Sequence, residues 1–194
     1  MTGTTPLTKR ALRTEGRKVH AGDPAARAHA SRRLREFLEG WEPFQKAPRI
    51  AMFAGMGWEP DFFPFVEPLA GRAAFPRANT ATLTVTFHRV KSVTELVPGA
   101  YGILEPADAL STRIDDWGPD DLVLVPASVY DRRGYRVGGG LGFYDRFLAR
   151  CPARTCGVIF HEQIVPQVPE DPWDVAVPLL CTDRGFLATN ARIG

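Results

Sequence analysis

The chain is poor in whatever would staple or cluster it. Three cysteines, Cys151, Cys156 and Cys181, are scattered over 194 residues without a CxxC pair, and the four histidines stand at no ligand spacing to them. A disulfide framework is thereby excluded, and a zinc site is not expected. No apolar run approaches the roughly 20 residues that cross a bilayer, so no membrane partner is expected. No internal repeat is visible, and the 17 prolines are dispersed instead of massed in a linker. With no signal-like run at its start, the sequence reads as a reducing, cytoplasmic protein.

Net charge is small as well, +2, but it is unevenly laid out. Residues 1–50 hold 11 Lys/Arg against 5 Asp/Glu, leaving 13 against 17 for the remainder. A basic N-terminal part suits nucleic acid or, equally, a cluster gathered around a small polyanion. What is present otherwise is ordinary for a globular chain, 44% hydrophobic and 24% charged. The length fits one domain over 1–194, with a basic helical segment at about 6–40.

Along the chain, Thr8 to Lys18 has helical propensity after Pro6, and Lys9 and Arg13, four apart, share a face. Asp23 is a natural N-cap with Pro24 at the first helical position, and the helix from Ala25 to Leu38 closes at Gly40. Arg49 to Gly55 reads as a buried strand. Met56-Gly-Trp-Glu-Pro-Asp61 then turns into a helix with Phe62, Phe65, Val66 and Leu69 on its buried side. Glu59, just past a strand end, is either a site residue or a capping glutamate. A half-buried strand is expected over Ala81 to Val90, with His88 on its polar phase as a surface or satisfied histidine. Glu105 is either a turn acid or a site group. Asp121-Leu-Val-Leu-Val-Pro126 and Thr155 to Phe160 are buried strands. This alternation of strands and helices predicts an α/β fold, a three-layer α/β/α sandwich with a mainly parallel central sheet, Rossmann-like.

Gly138-Gly-Gly-Leu-Gly142 is the most unusual stretch. It leads into Phe143-Tyr-Asp-Arg-Phe-Leu-Ala-Arg150, spaced for a short helix that stops at Cys151-Pro152. Bare amides running into a helix N-terminus favour an anion, and phosphate is the expected guest. The spacing is neither that of a Walker A loop nor that of a dinucleotide fingerprint. Asp145, in the first helical turn, complements the helix dipole or stands where a Mg²⁺ ligand would.

Tyr130-Asp-x-x-Gly134-x-Arg136-Val-Gly138-x-Gly140-x-Gly142-Phe-Tyr-Asp145-Arg-Phe-Leu148 resembles the signature of the 5-formyltetrahydrofolate cyclo-ligase (methenyltetrahydrofolate synthetase) family. Lys9 and Arg13, Glu59, Pro76-Arg77, Gly102 to Pro106, Asp121 to Pro126 and Trp173-Asp174 match it in order along nearly the whole chain. The resemblance implies an ATP- and Mg²⁺-dependent enzyme that acts on small molecules, ATP and 5-formyltetrahydrofolate, and yields 5,10-methenyltetrahydrofolate, ADP and phosphate. It further implies that Lys9, Arg13 and Arg136 hold phosphates, and that Gly138, Gly139, Gly140, Leu141 and Gly142, running on into Phe143 and Tyr144, cradle them. Arg136 and Asp145 stand at the reacting phosphoryl, and Asp145 with Asp174 holds Mg²⁺. Glu59 faces the folate, with Tyr144 or Phe143 and Met56 or Trp58 against its pteridine. A monomer that binds no nucleic acid is expected.

This chain departs from the family at Gly139 and Leu141, often aromatic or basic there, at Trp173 and at Ala127. Loss of a cation from the loop weakens phosphate contact unless Arg132 or Arg133 substitutes. Two rival readings are a sugar-phosphate or ligand-binding protein that consumes no ATP, and a nucleic-acid module using the basic helices. The second lacks the aromatics interleaved with bases that a stacking platform requires.

Overall fold

Thr8 opens the first helix in the computed structural model, which describes residues 8–69, 71–107 and 113–191. Its hydroxyl accepts from Ala11 N at 3.2 Å, and α1 runs Lys9–Gly16. Pro6 and Leu7 of the expected basic segment lie outside the described residues. Asp23 caps α2 (Pro24–Glu39) as the sequence predicts, accepting from Ala26 N at 2.9 Å. A short α3 (Glu42–Lys46) follows that sequence reading missed, because five residues are too few to show a period.

The strands among the described residues are β1 (Ile50–Ala51), β2 (Ala73–Asn79), β3 (Thr84–Arg89), β4 (Leu96–Pro98), β5 (Leu104–Pro106), β6 (Arg113–Ile114) and β7 (Leu122–Val125). After them come β8 (Val129–Asp131), β9 (Arg136–Val137), β10 (Arg154–Val158), β11 (Ile164–Val165), β12 (Leu179–Thr182) and β13 (Gly185–Ala188). Helix α4 (Phe143–Leu148) lies between β9 and β10. Eight strands form the main sheet in the order β13-β12-β10-β7-β1-β2-β3-β6. Its middle, β12 through β2, is parallel, and both edges turn antiparallel, β13 on β12 and β3 and β6 beyond β2. The parallel expectation therefore holds for the centre and not for the edges.

The sheet has two covered faces, and β7 shows why. Leu122 and Leu124 pack in one cluster with Leu34 and Leu38 of α2 and Phe44 of α3. Val123 and Val125, pointing the other way, pack in a second with Leu148 of α4. All four β7 side chains are buried, which a strand covered on both sides requires of its sequence. Arg49 Nε and NH2 grip Asp121 Oδ1 and Oδ2 at 2.9 and 2.7 Å, pinning the starts of β1 and β7 side by side.

Three expectations are corrected. The strand read over Arg49 to Gly55 pairs only at Ile50–Ala51, because the chain leaves the sheet to form the turn that carries Glu59. The helix read after that turn is a 3₁₀ turn at Phe63–Phe65. Pro64 is tolerated in the first turn, but Pro68 removes a donor that a longer helix would need, although Phe62, Phe65, Val66 and Leu69 are buried as expected. The strand read over Ala81 to Val90 starts at Thr84. Asn79 Oδ1 accepts from the amides of Ala81 and Thr82 at 3.0 and 3.1 Å and holds those residues in the hairpin turn. His88 shares a hydrogen bond with Thr86 Oγ1 at 3.1 Å, as a satisfied histidine should.

Candidate active site

Beyond the C-terminal ends of β1 and β7, where ligands gather in parallel sheets, lies a cleft of about 790 Å³. Phe53 and Ala54 leave β1 into its wall, and Pro126, Ala127 and Ser128 leave β7 into it. The hairpin β8–β9, unread in the sequence because its strands have three and two residues, delivers Arg136 and then the glycine loop. From the other side α1 presents Lys9, Arg13 and Arg17, one per turn, all on the cleft wall.

At one end of the cleft acids and bases are matched. Lys9 Nζ donates to Asp171 Oδ2 at 2.8 Å and Asp174 Oδ2 at 2.5 Å. Burial pulls the ammonium's pKa down, but these two bonds outweigh it and hold it above its ordinary value. Arg136, 8% exposed, donates to Asp145 Oδ1 and Val175 O, both at 2.6 Å. Val175 N also donates to Asp145 Oδ1, at 3.2 Å. The segment carrying Asp171, Trp173 and Asp174 is therefore tied to α1 and to β9 by charged bonds, with Trp173 left 70% exposed at the cleft edge.

The glycine loop is held from both ends. Arg13 Nε donates to Gly138 O at 2.7 Å, and Arg146 NH1 to Leu141 O at 2.6 Å. Gly140 sits at φ +97°, a backbone conformation that favours glycine. Arg13's own pKa is lowered by burial and by Arg17. Neither Arg132 nor Arg133, proposed as replacement cations for the loop, lines the cleft. Arg133 is engaged with Asp131 and Glu170, at 2.9 and 2.8 Å. The cation that sequence reading missed is Arg17, and its signal was plain: it continues the 9, 13 spacing.

Elsewhere on the cleft wall is a buried acid, Glu59. Glu59, 8% exposed, accepts from Met56 N at 2.9 Å. Burial pushes its pKa up to about 7, against the opposing pull of the Met56 amide and the Arg17 charge. Tyr144 lines the same region with its hydroxyl buried and unpartnered; burial, then the Glu59 charge, push its pKa up. Of the residues expected against a flat ring, Met56, Phe143 and Tyr144 reach the cleft wall, whereas Trp58 lies behind it under the Arg17 guanidinium, 4.8 Å away. Glu105 is on the wall too, and it resolves as a turn acid, accepting from Ala100 N and Ala78 N at 3.1 and 3.4 Å. No helix among the described residues is long and apolar enough to cross a membrane.

The raised Glu59 pKa makes a stability prediction with a defined sign. The folded protein holds this proton more tightly than the unfolded chain, so the stabilisation is full below about pH 4.5 and is lost as pH rises through about 7. At about 1.4 kcal/mol per unit the loss amounts to roughly 3 kcal/mol. Thermal unfolding at pH 5 and pH 7.5 should therefore show Glu59→Gln gaining on the wild type as pH rises. Parallel curves would mean that Glu59 titrates normally.

The family model described as the 5-formyltetrahydrofolate cyclo-ligase family matches residues 6–183. The 5-formyltetrahydrofolate cyclo-ligase of Mycolicibacterium smegmatis is 30% identical over 194 residues, covering 94% of this chain and 98% of that protein. The mouse (Mus musculus) protein of the same name is 30% identical over 188 residues, covering 87% and 90%. Among solved structures, the 5,10-methenyltetrahydrofolate synthetase of Aquifex aeolicus superposes with a TM-score of 0.79 at 27% identity, over 97% of this chain and 95% of that one.

Proposed function

The chain belongs to the 5-formyltetrahydrofolate cyclo-ligase family, and on that premise we propose how its cleft divides the labour of the reaction. The enzyme converts 5-formyltetrahydrofolate to 5,10-methenyltetrahydrofolate, with ATP as co-substrate and ADP and phosphate as products. The observation that carries the division is polarity: one end of the cleft holds Lys9, Arg13, Arg136 and the glycine loop, the other holds buried Glu59 beside Tyr144.

The formyl oxygen is a poor leaving group until the γ-phosphoryl is moved onto it; N10 then attacks the formyl carbon, and the oxygen departs as phosphate. Catalysis of such a transfer is mostly positioning and charge neutralisation. In this reading Lys9, Arg13 and Arg136 take the phosphates, and the amides from Gly138 to Gly142 cradle them. Arg13 and Arg146 hold two of the loop carbonyls, those of Gly138 and Leu141, and so fix the loop's shape. Glu59 accepts from N–H groups of the pteridine, whose flat face lies against Tyr144, Phe143 and Met56.

Mg²⁺ fits the acids at the phosphate end. Asp145 and Asp174 offer carboxylate oxygens, the donors a hard cation takes, and no cluster of three or more ligating side chains among the described residues forms a closed cage. One or two carboxylates completed by phosphate oxygens is the usual magnesium arrangement. Bound there, Mg²⁺ would neutralise phosphate charge and orient the γ-phosphoryl.

The two covered sheet faces are read as the outer layers of a Rossmann-like three-layer sandwich forming one domain, working as a cytoplasmic monomer without nucleic acid. The test is the methenyl chromophore formed from 5-formyltetrahydrofolate with and without ATP, alongside ADP release with and without the folate and Mg²⁺. Chromophore only with ATP is the expected result. Folded protein that gives neither chromophore nor ADP would overturn the reading.

A further inference from the structure

Helix α1 is a ruler laid along the cleft. Lys9, Arg13 and Arg17 are four residues apart, so at 1.5 Å per residue their attachment points span about 12 Å. Lys9 meets Asp171 and Asp174, and Arg13 meets Gly138 O, both at the phosphate end. Arg17 is at the other end, stacked over Trp58 and close enough to Glu59 for its charge to act on that carboxylate. Its Nε is buried and has no hydrogen-bond partner. Trp58 Nε1 and the Tyr144 hydroxyl are likewise buried and unpartnered, the first on the ring beneath Arg17 and the second within reach of the Glu59 charge. A buried guanidinium donor left unmade is costly, and such a group is explained by something that completes it.

The position of Arg17 is built, not incidental. Gly16, the residue before it, lies so close to Ser128 O that a Cβ there would collide with that carbonyl. Gln163 Nε2 clamps the contact, donating to Gly16 O at 3.0 Å and Ser128 O at 3.2 Å. The end of α1 is thus fixed against β8, and the Arg17 guanidinium rests on the Trp58 face, which suits a planar fork held in one orientation.

Building on the function proposed above, we propose that Arg17 is a specificity-determining residue that reads the pteridine edge together with Glu59. A 2-amino-4-oxopyrimidine edge offers two donors, the 2-amino group and N3–H, followed by one acceptor, the 4-oxo oxygen. Glu59 supplies two acceptors and Arg17 the donor, the complementary order. Lys9 and Arg13 serve the phosphates; Arg17, on the same helix face, serves the folate.

The experiment compares wild type with Arg17→Gln, and with Arg17→Met, which keeps an unbranched apolar stem, should the first not fold. Calorimetric titration without ATP uses 5-formyltetrahydrofolate and its 4-amino-4-deoxy counterpart, in which a donor replaces the 4-oxo acceptor and N3 carries no hydrogen. Wild type should prefer the 4-oxo compound by about 10- to 100-fold, and the variant should keep only the part owed to N3–H and Glu59, losing about tenfold or more, since one charged hydrogen bond is at stake. In turnover, KM for the folate should rise by a similar factor with KM for ATP nearly unchanged. A preference kept in full by the variant, a rise confined to KM for ATP, or no wild-type preference would each overturn the proposal. Absence of turnover in wild type with the binding preference intact would instead strike at the ligase reading and leave Arg17 in place.

Discussion

Asp145→Asn is expected to fold and to lose about two to three orders of magnitude in turnover, the scale on which removal of one aligned electrostatic group acts. Asp145 Oδ1 holds two donors, Arg136 NH2 at 2.6 Å and Val175 N at 3.2 Å, and the amide oxygen of asparagine accepts from both in the same place. What disappears is the negative charge. Arg136, with 5% of its side chain exposed, then lacks its counter-charge but keeps its bond to Val175 O. The stability cost should be about 1–2 kcal/mol, a drop of a few degrees in Tm for a chain of this size. Turnover suffers more because that carboxylate is the proposed oxygen ligand for Mg²⁺ and the partner that aims Arg136. The variant should also need a higher Mg²⁺ concentration for half-maximal rate. Steady-state rates over a Mg²⁺ series, with unfolding curves as control, decide the matter: turnover within about threefold of wild type would remove Asp145 from the metal.

The residues proposed to carry this chemistry differ in how openly the sequence displays them. The glycine loop, Asp145 and the 9, 13 pair were legible because their spacing is local: loop amides, first helical turn, one face of one helix. Glu59 was legible only as a residue past a strand end, and its burial comes from residues distant in sequence that close around it. Trp58 illustrates the limit. Sequence distance could not tell it from Met56, yet the turn sends one to the cleft wall and the other beneath Arg17. The central strands were legible where both faces are covered and the apolar run is continuous, as in Leu122 to Val125. Strands of two or three residues, such as β8 and β9, leave no periodic trace even though the two pair locally as a hairpin. The antiparallel β13 follows β12 after only Asp183 and Arg184, a hairpin connection that sequence reading passed over.

Replacing Lys9 and Arg13 together by alanine is expected to strike ATP and spare the folate. Each is proposed to make a charge-assisted bond to phosphate, worth about 1.5–3 kcal/mol, so the pair should lower kcat/KM for ATP by about 10²–10⁴. Two local consequences add to this at the same end. Loss of Lys9 leaves Asp171 and Asp174 without their shared cation, a carboxylate pair that repels incoming phosphate. Loss of Arg13 releases Gly138 O, which leaves one end of the loop without its side-chain tie. Folding should change little, since the Lys9 side chain is 31% exposed and ion pairs of that kind contribute about 0–1 kcal/mol. The proposed folate contacts belong to a different set, Glu59 and Arg17, which the double substitution does not touch. KM for 5-formyltetrahydrofolate should thus stay within about threefold while KM for ATP rises tenfold or more, the larger change lying with the charged bonds removed. If the folate constant moved instead, α1 would have to be turned end for end in function, with Lys9 and Arg13 reading the folate and Arg17 left without a ligand to explain its buried donor.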